Sequence, residues 1–310
     1  MRIQLNLFGE KLATRLADIE AGRIAPAVPR DAATVVILRN AADAGGGSSP
    51  RADSSAPDTM ASSADGRDIQ VLMLRRTAAM KFAPGAYVFP GGSVDPADYG
   101  AEVDWHGPSP AEFGSRLGAP AEVARALVCA AVRETFEESG VLLAGVPDGA
   151  PGAPLAVPAG PSWDADRAAL AAGTLTLAEL LSRRGLALRA DLLVPWARWV
   201  TPEGEPRRFD ARFFAAALPD GQQAVGHEAE AEHVAWLRPA SAVAAARAGE
   251  ISLLPPTAAT LNHLASAVAA GAGLDGILAT RRAIEPVCPR LVLEDGQAWL
   301  VVPDEVGYPL

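Results

Sequence analysis

The sequence centres on two short stretches, RETFEESGV at residues 133–141 and VFPGG at residues 88–92. An α-helix turns by about 100° per residue, so side chains three and four positions apart share one face. Glu134, Glu137 and Glu138 therefore project together from a helix that is predicted to end at the glycine of the first stretch. Like charges at this spacing repel one another, and the C-terminal end of a helix is its negative pole. The three glutamates are thus a poor choice for helix stability.

Two interpretations of this cluster are open at this point. Acidic residues on a helix commonly form a solvated surface face. A divalent cation would instead reverse both penalties, because Mg²⁺ and Mn²⁺ prefer carboxylate oxygens and leave coordination sites for a phosphorylated substrate. Gly91 and Gly92 are ambiguous in the same way, since two glycines after a strand form an ordinary turn or let the backbone approach a ligand closely. The presence of both stretches in one chain favours a metal site at the glutamates and close approach of a ligand at the glycines.

The first stretch resembles one half of the Nudix box, Arg-Glu-U-x-Glu-Glu-x-Gly-U, in which U is an apolar residue. Thr135 occupies a place where the family usually has an aliphatic residue. The other half of the box, Gly-x5-Glu, starts at Gly92 and ends at Asp98, so that an aspartate stands where glutamate is expected. Residues 99–132 separate the two halves, a longer spacer than the family places there. The resemblance therefore implies an insertion inside the box.

A split box preceded by VFPGG is similar to the coenzyme A diphosphatase branch of the family, which is typified by a mammalian peroxisomal enzyme. The similarity continues in PWARWVTP at residues 195–202 and RRFDARFF at residues 207–214. It implies the Nudix α/β/α sandwich, in which a mixed sheet lies between helices, here with insertions and a C-terminal helical extension. We expect an N-terminal segment at residues 1–32, the Nudix hydrolase domain at 33–240 and the extension at 241–310.

Hydrophobic patterning predicts the elements of this fold. Ala121–Ser139 is predicted to be a helix, because Val128, Val132 and Phe136 recur at a spacing of four and would bury one face. Residues 41–67 are expected to form a disordered loop, and the box insertion, at about 99–125, a surface excursion. The other predicted elements are strands at 33–39, 69–74, 192–200, 209–217 and 234–237, a closing hairpin of 291–293 and 299–302, and helices at 3–22, 163–185 (two, with Asp164 as N-cap), 241–248 and 257–269.

The resemblance implies hydrolysis of a diphosphate that links a nucleoside to another group. Mg²⁺ or Mn²⁺ held by Glu134, Glu137 and Glu138 would be the cofactor, and a carboxylate near the metal would accept the proton of the attacking water. Arg133 lies four residues before Glu137 and can hold that carboxylate in place.

A glutamate from a later loop often completes such a site in the family. The acidic stretch before the predicted strand at 234–237 offers three candidates, Glu228, Glu230 and Glu232, among which the sequence does not choose. We favour Glu228 and Glu230.

Substrate contacts are expected from two sets of residues. Gly91 and Gly92 would let the backbone approach the substrate, and Arg207, Arg208 and Arg212 are candidate phosphate clamps, although surface arginines are commonplace. By resemblance to the branch, the first substrate is coenzyme A or an acyl derivative. ADP-ribose or a dinucleotide such as NADH is the alternative, and a Nudix-fold sensor that binds a nucleotide without cleaving it is a third possibility.

Composition limits the remaining function classes. The chain has 310 residues, of which 49% are hydrophobic and 21% charged, as is ordinary for a soluble globular protein. A net charge of -10 argues against a nucleic-acid partner, because binding to the phosphate backbone depends on lysine and arginine. The sequence shows neither a signal peptide nor an apolar run long enough for a membrane helix, and residues 308–310 lack a peroxisomal signal of the Ser-Lys-Leu type. A cytoplasmic enzyme with a small nucleotide substrate is therefore expected.

Overall fold

The computed structural model describes residues 2–4, 9–46, 68–77, 83–147, 154–226, 231–294 and 297–309. The strands are β1 (Arg2–Gln4), β2 (Arg30–Asn40), β3 (Ile69–Arg76), β4 (Tyr87–Val88), β5 (Gly91–Ser93), β6 (Trp105–His106), β7 (Ala144–Gly145), β8 (Ala187–Arg189), β9 (Val194–Val200), β10 (Phe209–Ala217), β11 (Ala231–Leu237), β12 (Pro286–Val287), β13 (Arg290–Glu294) and β14 (Gln297–Val301). The α-helices are α1 (Gly9–Glu20), α2 (Pro96–Tyr99), α3 (Pro110–Leu117), α4 (Ala121–Ser139), α5 (Pro161–Ala171), α6 (Leu177–Arg184), α7 (Pro239–Arg247), α8 (Pro255–Ala269) and α9 (Leu274–Ala279).

A mixed sheet forms the middle layer, with strand order β11-β3-β2-β10-β9-β12. β2 pairs with β10 in parallel and with β3 in antiparallel orientation. β4 and β5 add to β3 and β2, respectively. The β-branched and apolar residues of β2 explain its central place, because most of its side chains are buried. The predicted mixed sheet is thereby confirmed.

Helices cover both faces of this sheet. Adjacent strand residues point to opposite faces, so Val35 belongs to one hydrophobic core and Val36 to the other. The first core includes Phe136 of α4 and residues from α3, α5 and α6. The second core includes Leu261 and Leu264 of α8. The predicted α/β/α sandwich is confirmed, and the helices of residues 241–310 supply much of its second helical layer.

α4 begins and ends where its pattern predicts. Val128 and Val132 are 0% exposed and Phe136 is 1% exposed, so this stripe packs against the sheet. Gly140 ends the helix with a φ of 71°, and its N–H donates to the carbonyl oxygen of Phe136. The glutamates of α4 therefore lie outside this packed stripe and are only half-buried.

The box insertion is not the surface excursion expected from the sequence. Its helix α3 starts at a capping box, in which Ser109 and Glu112 satisfy each other's backbone N–H groups. Phe113 and Leu117 lie one turn apart and are 1% and 0% exposed within the first core. The Phe113 ring meets the Phe214 ring of β10 edge-on, with centroids 6.2 Å apart. The expectation was wrong because Phe113 and Leu117 are apolar and are buried against α4 and β10.

The N-terminal segment also differs from its prediction. Residues 3–22 were expected to form one helix, but Arg2–Gln4 is a strand that pairs with β14, and α1 starts at Gly9. β13 and β14 form the predicted antiparallel hairpin. The two predicted helices within 163–185 are present, but Asp164 is not an N-cap, because Gly160 occupies that place before α5.

The loop after β2 lies only partly within the described residues. Ala41–Gly46 forms a 3-10 helix, whereas residues 47–67 lie outside the described ranges, and the disorder expected for them stays a prediction. Two further 3-10 helices are Ala190–Leu192 and Asp304–Val306. Within the ranges that the structure describes, no helix has both the length and the apolar character needed to cross a membrane.

Candidate active site

Arg133 lies at the centre of the candidate site. Its Nη1 donates to Glu134 Oε1 at 3.0 Å and to Glu137 Oε1 at 3.2 Å. Its Nη2 donates to Asp98 Oδ2 at 2.9 Å and to the carbonyl oxygen of Ser93 at 3.0 Å, while its Nε donates to Asp98 Oδ1 at 3.2 Å. The predicted contact between Arg133 and Glu137 is therefore present, and the guanidinium also gathers two further carboxylates.

Burial and charge act against each other at Arg133. Burial alone lowers the pKa of its guanidinium, but the hydrogen bond to Asp98 and the charges of Glu134, Asp98 and Glu137 raise this pKa above its usual value. The side chain is only 13% exposed, so these interactions are weakly screened. Arg133 is consequently a permanent positive charge inside an acidic cluster.

Asp98 is the most buried carboxylate around this arginine, with 2% exposure. It belongs to the short helix α2, where its side chain accepts a hydrogen bond from Asp95 N at 2.8 Å as half of a capping box. The capping box fixes the backbone, and the salt bridge to Arg133 fixes the side chain. The acid at the end of the first half-box thus meets the arginine of the second half-box, although residues 99–132 separate them in sequence.

The two glycines bring the backbone of β5 against the glutamates of α4. Gly91 N donates to Glu138 Oε2 at 2.9 Å. A Cβ on Gly92 would lie 2.4 Å from Glu134 Oε1, and a Cβ on Gly91 would lie 2.4 Å from the carbonyl oxygen of Ala33. A side chain at Gly91 would overlap the backbone of β2, and one at Gly92 would displace the Glu134 carboxylate. Both glycines therefore help to place carboxylates; their predicted contact with a substrate stays a prediction.

Glu134, Glu137 and Glu138 suit a hard divalent cation by donor type, because all three offer carboxylate oxygens. Among the described residues, however, no group of three or more His, Cys, Asp or Glu side chains is gathered closely enough to hold a metal ion. In this arrangement Glu134 and Glu137 bond to Arg133, and Glu138 bonds to Gly91 N. The donor types of the three glutamates fit a divalent metal, while in this structure their oxygens accept hydrogen bonds from the protein.

The three arginines predicted as phosphate clamps have different surroundings. Arg208 is 8% exposed and donates to the carbonyl oxygens of Thr201 and Ala27 at 2.9 and 2.8 Å. Arg212 is 3% exposed and forms salt bridges with Asp31 and Asp210 at 2.7 and 3.0 Å. These two arginines therefore hold the protein's own groups, contrary to the expectation of a phosphate contact.

Arg207 remains the exposed candidate of the three. It follows the turn between β9 and β10, and its role as a phosphate clamp stays a prediction.

Glu228 and Glu230, predicted as candidates for the base, lie outside the described residues. The chain just before them runs beside the C-terminal end of α4, because Val225 N donates to the carbonyl oxygen of Ser139 at 2.8 Å. The chain after them continues as β11, which pairs with β3.

Sequence reasoning missed one charged residue at this place. Arg167 of α5 donates from Nε to the carbonyl oxygen of Glu137 at 2.8 Å. No motif surrounds Arg167 in the sequence, so only the packing of α5 against the end of α4 reveals it.

Comparisons with known proteins identify a family for this chain. Residues 108–264 match the family described as the NUDT19 Nudix domain. The human acyl-coenzyme A diphosphatase NUDT19 is 31% identical over 250 residues, which cover 70% of this chain and 65% of the human protein. The chicken protein of the same name (Gallus gallus) is 30% identical over 224 residues, covering 61% of this chain and 59% of that protein. The chain thus spans somewhat less than two thirds of the length of these relatives.

A solved structure shows the same architecture. The crystal structure of a Nudix hydrolase from Alicyclobacillus acidocaldarius superimposes with a TM-score of 0.62 at 29% sequence identity, covering 83% of this chain and 99% of that one. The family match spans half of this chain, and Asp98 and Arg133, which lie on either side of the insertion, form a salt bridge in the structure. The chain therefore belongs to the Nudix hydrolase family.

Proposed function

We propose that this protein hydrolyses the diphosphate linkage of a nucleoside diphosphate derivative, with coenzyme A or acyl-coenzyme A as its first substrate and Mg²⁺ or Mn²⁺ as its cofactor. The observation that carries the proposal is the assembled acidic cluster. Asp98 and Arg133 meet across the insertion, Arg133 holds two glutamates of α4, and β5 holds the third.

The charge of this cluster supports a cation-dependent reaction. Three carboxylates bond to the guanidinium of Arg133, and a fourth, that of Glu138, bonds to Gly91 N. Three of the four project from the last turns of α4, near the negative pole of the helix. A diphosphate would be repelled by this charge on its own. Glu134, Glu137 and Glu138 would hold the metal, which when bound polarises the phosphoryl oxygens and lowers the pKa of the attacking water.

The chain's own residues provide positioning and proton transfer. Arg133 restrains Glu134 and Glu137 from turning into solvent, and Gly91 N restrains Glu138. A carboxylate close to the diphosphate accepts the proton of the attacking water, and Glu228 and Glu230 are our candidates for this base.

The choice of coenzyme A is supported by the relatives, since the human and chicken proteins are named acyl-coenzyme A diphosphatases. Hydrolysis of its diphosphate would release 3',5'-ADP and a phosphopantetheine product. We assign the 3'-phosphate to Arg207, which is exposed, in contrast to the buried Arg208 and Arg212. A guanidinium can bind a phosphate through two parallel hydrogen bonds.

Product release from a panel tests the proposal. The panel contains coenzyme A, an acyl-coenzyme A, 3'-dephospho-coenzyme A, NADH and ADP-ribose, each with Mg²⁺, with Mn²⁺ and with a chelator. We expect turnover that requires a metal and a kcat/KM for coenzyme A about tenfold to a hundredfold above that for its dephospho form. Arg207→Ala should remove this preference, whereas Arg290→Ala, at an exposed arginine of β13, should retain it.

The panel also distinguishes the alternatives. Preference for NADH or ADP-ribose would contradict the assignment to coenzyme A and leave the diphosphatase proposal standing. Nucleotide binding without any product release, with either metal, would contradict hydrolysis and favour a sensor.

A further inference from the structure

One residue of β2 holds both ends of the segment that carries Asp98. The carbonyl oxygen of Asp31 accepts a hydrogen bond from Val94 N at 2.9 Å, just before the capping box of α2. The carboxylate of Asp31 accepts a second hydrogen bond, at 3.1 Å, from the hydroxyl group of Tyr99, the last residue of α2. The segment is therefore attached to β2 on either side of Asp98.

A buried arginine fixes the carboxylate that accepts the bond from Tyr99. Arg212 is 3% exposed, and its Nη1 lies 2.7 Å from Asp31 Oδ1, whereas the hydroxyl group of Tyr99 bonds to Oδ2. The two oxygens of Asp31 thus have separate partners, one on β10 and one on α2. Burial and the negative charge of Asp31 raise the pKa of Tyr99, so the hydroxyl group keeps its proton at neutral pH and remains a donor.

The position of Asp98 decides how Arg133 divides its hydrogen bonds. Arg133 donates from Nε and Nη2 to Asp98 and shares Nη1 between Glu134 and Glu137. A buried N–H group without an acceptor is costly, so displacement of Asp98 would turn Nε and Nη2 towards the nearest remaining carboxylates. Those carboxylates are Glu134 and Glu137. Since the guanidinium and a metal compete for the same oxygens, the metal would then bind less tightly.

We propose that Asp31 and Tyr99 form an anchor for α2 that sets the metal affinity of the acidic cluster. By holding Asp98 in place, this Asp31–Tyr99 anchor limits the hold of Arg133 on the glutamates of α4 and keeps their oxygens available to the metal. Both members are positioning residues, because they act through Asp98 and Arg133. The inference rests on the diphosphatase function proposed above and on its metal requirement.

Tyr99→Phe opens the anchor by removing a single oxygen atom and keeps the ring. Tyr308→Phe is the matched control, because it removes the same atom from a half-buried tyrosine that packs against the second core, on the other side of the sheet from α4. Asp31→Ala opens the anchor from β2. It is the stronger change, since it also takes one of two ion-pair partners from Arg212, which keeps Asp210.

The test measures Mn²⁺ binding by electron paramagnetic resonance without substrate, together with thermal unfolding and turnover of an accepted substrate. Tyr99→Phe should raise the Kd for Mn²⁺ by about threefold to tenfold, and the metal concentration at half-maximal turnover by the same factor. The kcat at saturating Mn²⁺, the KM of the substrate and the melting temperature should stay close to those of the unaltered protein. Tyr308→Phe should leave the Kd unchanged.

A double-mutant cycle tests whether the two residues act through each other. Asp31→Ala should raise the Kd for Mn²⁺ at least as much as Tyr99→Phe does. Adding Tyr99→Phe to Asp31→Ala should then raise the Kd little further, because the anchor is already open. Independent effects, in which the two factors multiply, would overturn the anchor.

The outcomes separate the anchor from the proposed function. If the unaltered protein binds Mn²⁺ and cleaves a panel substrate, but Tyr99→Phe binds Mn²⁺ with the same Kd, the anchor is overturned and the diphosphatase function stands. A lower melting temperature of Tyr99→Phe at unchanged Kd also overturns the anchor, since that result indicates packing alone. If Asp31→Ala does not fold, Tyr99→Phe and its control carry the comparison. An unaltered protein that neither binds Mn²⁺ nor cleaves any member of the panel overturns the proposed function, and the anchor with it.

Discussion

We expect single carboxylates of α4 to have separable roles in folding and in the proposed chemistry. Glu137→Gln and Glu138→Gln each remove a negative charge but keep an oxygen that accepts the hydrogen bond of Arg133 or Gly91 N. We expect turnover to fall by orders of magnitude at saturating Mg²⁺, because the metal loses an anionic ligand. The melting temperature should stay close to that of the unaltered protein, since repulsion on the helix also decreases. Steady-state kinetics and thermal unfolding measure the two effects.

Glu122→Gln is the control for these variants, since Glu122 is exposed in the first turn of the same helix. Glu122→Gln should change neither the turnover nor the melting temperature. Unchanged turnover in both Glu137→Gln and Glu138→Gln would show that these glutamates do not bind the metal.

The two glycines of β5 should respond differently to the same substitution. A Cβ at Gly91 collides with the backbone of β2 at a φ of 157°, so Gly91→Ala should lower the free energy of unfolding substantially. The three atoms nearest to a Cβ at Gly92 all belong to the carboxylate of Glu134, which lies at the end of a side chain and can shift. Gly92→Ala should therefore fold almost normally and lose activity, because a site carboxylate is displaced. Urea unfolding and kcat measurements check both expectations.

Gly100→Ala provides the reference, because nothing lies within 4 Å of a Cβ built there. It should leave folding and activity unchanged. Full activity in Gly92→Ala would contradict the placement of Glu134 described above.

Residue type alone does not tell where an arginine points. Arg133 could be assigned from the sequence because its partner Glu137 lies one helical turn away. Arg208 and Arg212 form their contacts with residues such as Ala27 and Asp31, far from them in sequence. No local pattern reports such pairings, so both arginines were expected to face a substrate. The burial of an arginine is decided by the tertiary fold.

Among the elements, α3 differs most from what the sequence suggested. The length and both ends of α4 follow from its apolar spacing and its terminal glycine. α3 was overlooked because it lies in an insertion, where the family resemblance provides no expectation, and because a helix of 8 residues shows only two turns of pattern. β1 was missed for a related reason, since three residues acquire a strand conformation only from a distant partner.

Phe113→Ala tests whether α3 is part of the core. Phe113 is 1% exposed and packs edge-on against Trp105 and Phe214, so removal of its ring leaves a cavity. We expect a loss of about 3–5 kcal/mol in the free energy of unfolding, measured in urea. Ser115→Ala, at an exposed position of the same helix, should cost far less. Equal stabilities of the two variants would indicate that α3 is a surface appendage after all.

At the scale of the whole molecule, residues 241–310 behave as part of the sandwich. Ala258, Leu261 and Leu264 are each 0% exposed and cover the face of the sheet that bears Trp196 and Phe213. A chain that ends at residue 240 would expose this face to water. We therefore expect it to lack a cooperative thermal transition and to bind the dye ANS strongly.

Leu261→Ala is a milder test of the same point. We expect it to lower the free energy of unfolding by about 2–5 kcal/mol. A truncated chain that unfolds cooperatively would instead support residues 33–240 as a separate domain, the division that the sequence suggested.

The pairing of β1 with β14 has a consequence for synthesis on the ribosome. Arg2–Gln4 emerges from the ribosome long before its partner Trp299–Val301. β2 likewise cannot pair with β10, its parallel neighbour in the middle of the sheet, until β10 has been synthesised. Contacts this distant in sequence form slowly, because a long loop must close before they contribute. The apolar strand β2 consequently stays without this neighbour until β10 has emerged, and chaperones that bind such strands would meet the nascent chain before its candidate active site is assembled.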